Sequence, residues 1–208
     1  MVKIGINGFG RIGRLILRAL LENYKGKIQV VGINDLGSIE ANAHLIKYDS
    51  THGILNHVVK TTNDGLKIGD QNIKVFAERD PAKLPWDKVG ADVVLECTGF
   101  FLDKSSAGKH IQAGAKKVII SAPAKEVDFT LVQGVNSKDL KKDHNIISNG
   151  SCTTNCLAPV AMVLEKNFGI TYGYMTTIHS YTGDQKLLDT LHKAVSYTHL
   201  TLPTKRIV

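Results

Sequence analysis

The chain has 208 residues, 43% of them hydrophobic, and a formal net charge of +7. That length suits one full domain and part of another, and the composition is that of an ordinary soluble globular protein. No apolar run is long enough to span a bilayer, and the first residues lack the apolar core and cleavage site of a secretory signal.

Three cysteines, two of them four residues apart, do not form a disulfide framework, so a reducing, cytoplasmic setting is expected. The excess of positive charge suits phosphorylated ligands. No run of lysine and arginine with interleaved aromatics occurs, so nucleic acid is not an expected partner.

In chain order, Val2–Asn7 reads as a strand. Arg11–Asn23 has helical periodicity through Ile12, Leu15, Ile16, Ala19 and Leu20, and Ile28–Asn34 is a second apolar strand. Between residues 58 and 78 the pattern alternates, broken by Asn63-Asp64-Gly65 and Gly69-Asp70-Gln71, which predicts an antiparallel excursion of two or three short strands. Residues 92–96 and 117–121 are further buried strands, and 105–113 is a short helix closed by Gly114. Ile146–Ser148 is a last short strand. Together these elements predict an α/β domain over residues 1–150 with a doubly wound, mostly parallel sheet of the Rossmann type.

A second unit begins near Gly150. Residues 153–167 carry a helical stripe through Leu157, Val160, Ala161 and Leu164, with Pro159 inside it, and residues 172–179 read as a strand.

Gly8-Phe9-Gly10-Arg11-Ile12-Gly13 fits the dinucleotide fingerprint G-x-G-x-x-G between a predicted strand and a predicted helix. Gly8 permits the tight turn, Gly10 lets a pyrophosphate approach the backbone, and Gly13 lets helix and strand pack closely. Asp35 ends the second strand, where a carboxylate holds the adenosine ribose and favours NAD; the alternative is a plain turn residue. Thr98-Gly99 and Ser121-Ala122-Pro123 follow buried strands and are candidates to line the same cleft.

Ser151-Cys152-Thr153-Thr154-Asn155-Cys156 places a cysteine where a loop meets a predicted helix, and His179 lies on a later apolar segment. Helix N–H groups and an imidazolium both favour a thiolate, which is a strong nucleophile. A nucleophilic cysteine beside a hydride acceptor points to aldehyde oxidation through a thioester. Cys156, one turn on, is expected to pack in the core. Cys152, Cys156 and His179 lack a fourth zinc ligand, so no metal is expected. Trp86 is expected to be a packing anchor, and His44, His52, His57, His110, His144 and His192 have no comparable partners and are expected to be structural or solvated.

These motifs resemble the phosphorylating, NAD-dependent glyceraldehyde-3-phosphate dehydrogenase family. The resemblance runs from residue 2 to about residue 193. It also takes in Lys47-Tyr48-Asp49-Ser50-Thr51-His52-Gly53, Glu78-Arg79-Asp80-Pro81, Glu96-Cys97-Thr98-Gly99-Phe100-Phe101 and His179-Ser180-Tyr181-Thr182. It implies that Cys152 attacks the aldehyde of glyceraldehyde 3-phosphate and that His179 activates the thiol and takes the proton. It implies that Arg11, Ile12, Asp35, Arg79 and Ser121 contact NAD, and that Ser151, Thr153 and Thr182 contact substrate or inorganic phosphate. It further implies a homotetramer in central carbon metabolism. An erythrose-4-phosphate dehydrogenase and a non-catalytic NAD- or RNA-binding fragment are the alternatives.

Beyond residue 193 the resemblance stops. Residues 151–193 are then the start of an incomplete α+β catalytic domain. Residues 194–208 read as the translation of a transposon-end sequencing adaptor and are expected to lie outside the fold. Under that reading the apolar faces of 153–167 and 172–179 lack partners, and the chain by itself binds NAD with little or no turnover.

Overall fold

The computed structural model describes residues 1–180, so Thr182 and the 194–208 segment lie outside the described residues. The central strand is β1 (Val2–Asn7), followed by α1 (Arg11–Asn23) and β2 (Ile28–Asn34), each with the predicted bounds. Both strands are apolar along most of their length because both faces of the sheet are covered. Helix α1 buries Gly13, Leu17, Arg18 and Leu21, one stripe at helical spacing.

Next come α2 (Ile39–Lys47), the ribbon β3 (Tyr48–Asp49) and β4 (Gly53–Ile54), and then β5 (Val59–Thr62), β6 (Gly65–Ile68) and β7 (Gln71–Phe76). Helix α2 was not anticipated. It starts at Ser38, whose hydroxyl accepts from the Ala41 N–H, and it buries Asn42 and Ile46. The predicted antiparallel excursion is present: β5 pairs with β6 and β6 with β7, and β7 joins β2 in parallel.

The rest of the sheet is β8 (Val93–Glu96), β9 (Lys117–Ile120), β10 (Phe129–Thr130) and β11 (Ile146–Ser148), preceded by α3 (Trp86–Val89). The helix expected over 105–113 is two pieces, α4 (Lys104–Ala107) and α5 (Lys109–Gln112), interrupted at Gly108, a poor helix former. Asp103 opens it by accepting from the Ser106 N–H, and Gly114, at φ +103°, closes it.

Among the described residues nine strands form one sheet in the order β10-β11-β9-β8-β1-β2-β7-β6-β5. Every pairing from β10 to β7 is parallel. Ile4, Ile6, Phe9, Leu17, Leu21 and Val30 belong to one buried cluster, and Val31, Leu84, Trp86, Ala91 and Val94 to another. The α/β, doubly wound expectation holds.

The contacts divide the chain into two compact units, Met1–Val163 and a second that begins at Leu164. Helix α6 (Thr154–Phe168) contains Pro159, which cannot donate to the carbonyl one turn back. No residue of α6 is buried; Leu157, Val160, Val163 and Leu164 are all exposed. Residues 172–179, expected as a strand, form none. Strand propensity is realised only against a ladder, and no described segment pairs with these residues; Tyr174 is 98% exposed. Among the described residues no helix is long and apolar enough to cross a membrane.

Candidate functional site at the carboxyl edge of the sheet

The strand order reverses between β1 and β8, and at such a point the loops beyond the carboxyl ends of the strands diverge and leave a crevice. Asn34, Asn7, Glu96 and Ile120 end β2, β1, β8 and β9 in mutual register. The Gly8–Gly13 turn, Asp35, Thr98 and Ser121 follow directly from these ends. Arg79, past the end of β7, is exposed.

The three glycines of the turn are distinguished by what surrounds them. A β-carbon on Gly8 would lie 2.8 Å from the Thr98 nitrogen, and the residue holds φ +90°. One on Gly13 would lie 2.2 Å from the Gly8 carbonyl oxygen. One on Gly10, which caps α1, would meet nothing within 4 Å. Crowding at the first and third glycine with open space at the second fits a pyrophosphate set against the start of α1.

Asp35 is half-buried, with one carboxylate oxygen 2.9 Å from the Phe9 N–H and the other 2.8 Å from the Gly37 N–H. It is therefore both a turn residue and a tie between β2 and the glycine turn. Arg11, the first residue of α1, is ion-paired with Asp49. The Asp49 carboxyl is held well below its ordinary range by the His52 and Thr51 N–H groups and by Arg11. Ile12, beside Arg11, is 48% exposed.

The cysteine loop is fastened to the same edge. Ser148 Oγ donates to the Ala122 carbonyl (2.8 Å), the Asn149 N–H donates to the Ile120 carbonyl (3.1 Å), and Asn155 Nδ2 donates to the Asn149 carbonyl (2.8 Å). Ser151 Oγ accepts from the Thr154 N–H at the start of α6, and the Thr153 hydroxyl lies 3.8 Å from Cys152 Sγ. Cys152 is exposed. Cys156 is exposed as well, contrary to the expectation of core packing, because the face of α6 that carries it has no cover among the described residues. His179 lies in the second unit. Cys97 is half-buried, and burial pushes its thiol up to about 11, partly offset by a hydrogen bond with Ser121.

Residues 2–104 match the family model described as glyceraldehyde 3-phosphate dehydrogenase, NAD binding domain, and residues 151–201 match that of the C-terminal domain. The chain belongs to the glyceraldehyde-3-phosphate dehydrogenase family. It is 55% identical over 192 residues to the glyceraldehyde-3-phosphate dehydrogenase of Xanthobacter flavus, which covers 92% of this chain and 57% of that protein. It is 52% identical over 209 residues to that of Pseudomonas aeruginosa, covering 98% of this chain and 63% of that protein. The Bacillus subtilis glyceraldehyde-3-phosphate dehydrogenase 1 is 55% identical over 193 residues, 92% of this chain and 57% of that protein. The chain thus spans about three-fifths of the length of these relatives. NAD is the cofactor that the match over residues 2–104 assigns to the first domain.

The sequence reading missed one feature of the edge. Beneath the loops that follow these strand ends lies a buried polar chain. Asn7 Nδ2 donates to Glu96 Oε2 (2.6 Å), and His110 Nε2 lies 2.9 Å from the same oxygen. The Thr98 N–H (2.7 Å) and hydroxyl both donate to Glu96 Oε1. Trp86 Nε1 donates to His110 Nδ1 (3.0 Å). His110, expected to be structural or solvated, is structural and hydrogen-bonded at both ring nitrogens, and Trp86 is more than a packing anchor. The signal was present but indirect: an acidic residue and an asparagine end strands that otherwise run apolar.

Proposed function

We propose that the protein to which this chain belongs oxidises the aldehyde of glyceraldehyde 3-phosphate and captures the product with inorganic phosphate, giving 1,3-bisphosphoglycerate. The observation that carries the reading is the fastening of the exposed Cys152 loop to the same sheet edge as the glycine turn. NAD, when bound, supplies the hydride acceptor.

Gly8, Gly10 and Gly13 give the cofactor its cradle. Arg11, Ile12, Asp35, Arg79, Thr98 and Ser121 hold it. The Cys152 thiolate adds to the aldehyde carbon, and His179 removes the hydroxyl proton of the resulting thiohemiacetal as the hydride leaves. Phosphate then attacks the thioester carbon, the C–S bond breaks, and the acyl phosphate departs as Cys152 is restored. The backbone N–H of Cys152 stabilises the oxyanion, and Ser151, Thr153 and Thr182 receive substrate and phosphate. The proposal includes a homotetramer in the cytoplasm. The 208-residue chain on its own is expected to bind NAD and to turn over little, consistent with the exposed apolar residues of α6.

The test follows NADH formation by the protein with glyceraldehyde 3-phosphate, with and without inorganic phosphate. Phosphate-dependent turnover that vanishes in Cys152→Ser while NAD binding persists is expected. Turnover that survives that substitution overturns the thioester route. A higher kcat/KM for erythrose 4-phosphate reassigns the substrate.

A further inference from the structure

Glu96 and His110 are both fully buried, and no lysine or arginine faces either of them among the hydrogen bonds and ion pairs of the described residues. The direction of every hydrogen bond around them is fixed from outside. At one end, the Trp86 indole N–H can only donate, so His110 Nδ1 accepts and His110 Nε2 carries the proton toward Glu96. At the other end, the Glu78 N–H donates to Asn34 Oδ1, which turns Asn34 Nδ2 toward the Glu78 carbonyl and toward Asn7 Oδ1. Asn7 must then present its Nδ2 to Glu96. Thr98 adds its N–H, and its hydroxyl, which accepts from the Phe100 N–H, turns its own proton to Glu96.

Four donors therefore converge on one carboxyl group and no acceptor does. The carboxyl group is thereby held at both oxygens, Oε1 by Thr98 and Oε2 by Asn7 and His110. The chain of contacts runs from Thr98 through Glu96, Asn7 and Asn34 to Glu78, and so links the loops that follow β8, β1, β2 and β7. Those loops carry Thr98, Gly8, Asp35 and Arg79.

We propose that Glu96 is the positioning residue of the cofactor site: its carboxyl group holds the Thr98 turn through Oε1 and, through Oε2, ties that turn to the strand ends beneath the glycine turn, Asp35 and Arg79. This rests on the NAD reading above. Glu96 touches no cofactor in this scheme and acts through Thr98 and Asn7. A glutamine at position 96 is nearly the same size but offers one NH2 in place of an acceptor oxygen. Whichever way it turns, either the Thr98 N–H or the Asn7–His110 pair meets a donor.

The test measures NAD binding by calorimetry for the unmutated chain and for Glu96→Gln, at a temperature where both are folded. It also follows the indole N–H resonance of Trp86, the chain's single tryptophan. The expected result is an NAD Kd raised about tenfold or more in Glu96→Gln. The indole resonance should move in the same variant, because the acceptor that His110 Nε2–H meets is changed and the imidazole is the indole's partner. A purely structural role would lower the melting temperature and leave the Kd of the folded protein unchanged, which overturns the proposal. Should Glu96→Gln fail to fold, the unmutated chain decides: saturating NAD is expected to shift the buried indole resonance through the network, and an unmoved resonance overturns the proposal. An unmutated chain that binds no NAD overturns the cofactor reading itself, and this proposal with it.

Discussion

Gly150 lies so close to Ser121 that a β-carbon on it would come 2.2 Å from the Ser121 carbonyl carbon. The contact is backbone against backbone, so nothing flexible can move aside. It brings the strand end before Cys152 onto the loop after β9, one of the loops proposed to hold the cofactor. Gly150→Ala is therefore expected to cost roughly 1–3 kcal/mol, because overpacking must shift main chain. It should also displace the Cys152 loop and change the alkylation rate of that thiol. Urea denaturation and thiol mass labelling check both. Gly173→Ala, where a β-carbon meets nothing within 4 Å, is the control and should stay within about 0.5 kcal/mol of the unmutated chain.

Gly5 and Gly32 explain how the Trp86 ring reaches the middle of the sheet. A β-carbon on Gly5 would lie 2.6 Å from the indole, and one on Gly32 would lie 3.1 Å from it. Glycine inside a strand marks close approach, and here the approaching group is the ring that orients His110. Gly5→Ala is expected to destabilise by roughly 1–3 kcal/mol. In a Trp86→Phe background the same substitution should cost less, since a smaller ring leaves room. A double-mutant cycle on unfolding free energies checks this, and full additivity would contradict it.

Most of the first domain was legible in the sequence because it depends on local rules. The apolar runs of β1 and β2, the periodicity of α1 and the turn residues at 63–64 and 69–70 state their own structure. What was missed depends on partners distant in sequence. Residues 172–179 have strand propensity but no ladder among the described residues, so propensity alone misled. Cys156 was assigned to a core by helical spacing, and spacing says nothing about whether that face is covered. Glu96 and His110 stand fourteen positions apart, and only the packing of α5 against the end of β8 makes them a pair. Helix α2 has a readable start at Ser38, a serine cap ahead of an apolar stripe.

The three cysteines should separate cleanly by reactivity. Cys97 is half-buried, and its thiol is pushed up to about 11 by burial, so little thiolate is present at neutral pH. Cys152 and Cys156 are exposed. A small alkylating reagent at neutral pH is expected to label those two in the folded protein and Cys97 only after denaturation. Peptide mass mapping checks this. Equal labelling of Cys97 in the folded state would contradict its placement beneath Ser121.

Asp128 supplies a pH-dependent contribution to stability. Its carboxylate pairs with Lys104 (2.6 Å) and accepts from the Asn145 (2.8 Å) and Ile146 (2.9 Å) N–H groups at the start of β11. The Lys104 contact first, and those N–H groups after it, lower its pKa from 3.8 to about 2. A carboxyl whose folded pKa is depressed binds protons less readily in the folded chain than in the unfolded one. Its stabilisation is thus fully present above 3.8 and is lost as the pH falls through about 2. Lys104 is largely exposed, so the net contribution is taken as about 1 kcal/mol. Asp128→Asn should therefore unfold at lower urea than the unmutated chain near neutral pH. The gap should close progressively as the pH is lowered from 3.8 toward about 2. A gap that stays constant across that window would show that the charge of Asp128 contributes nothing to the fold.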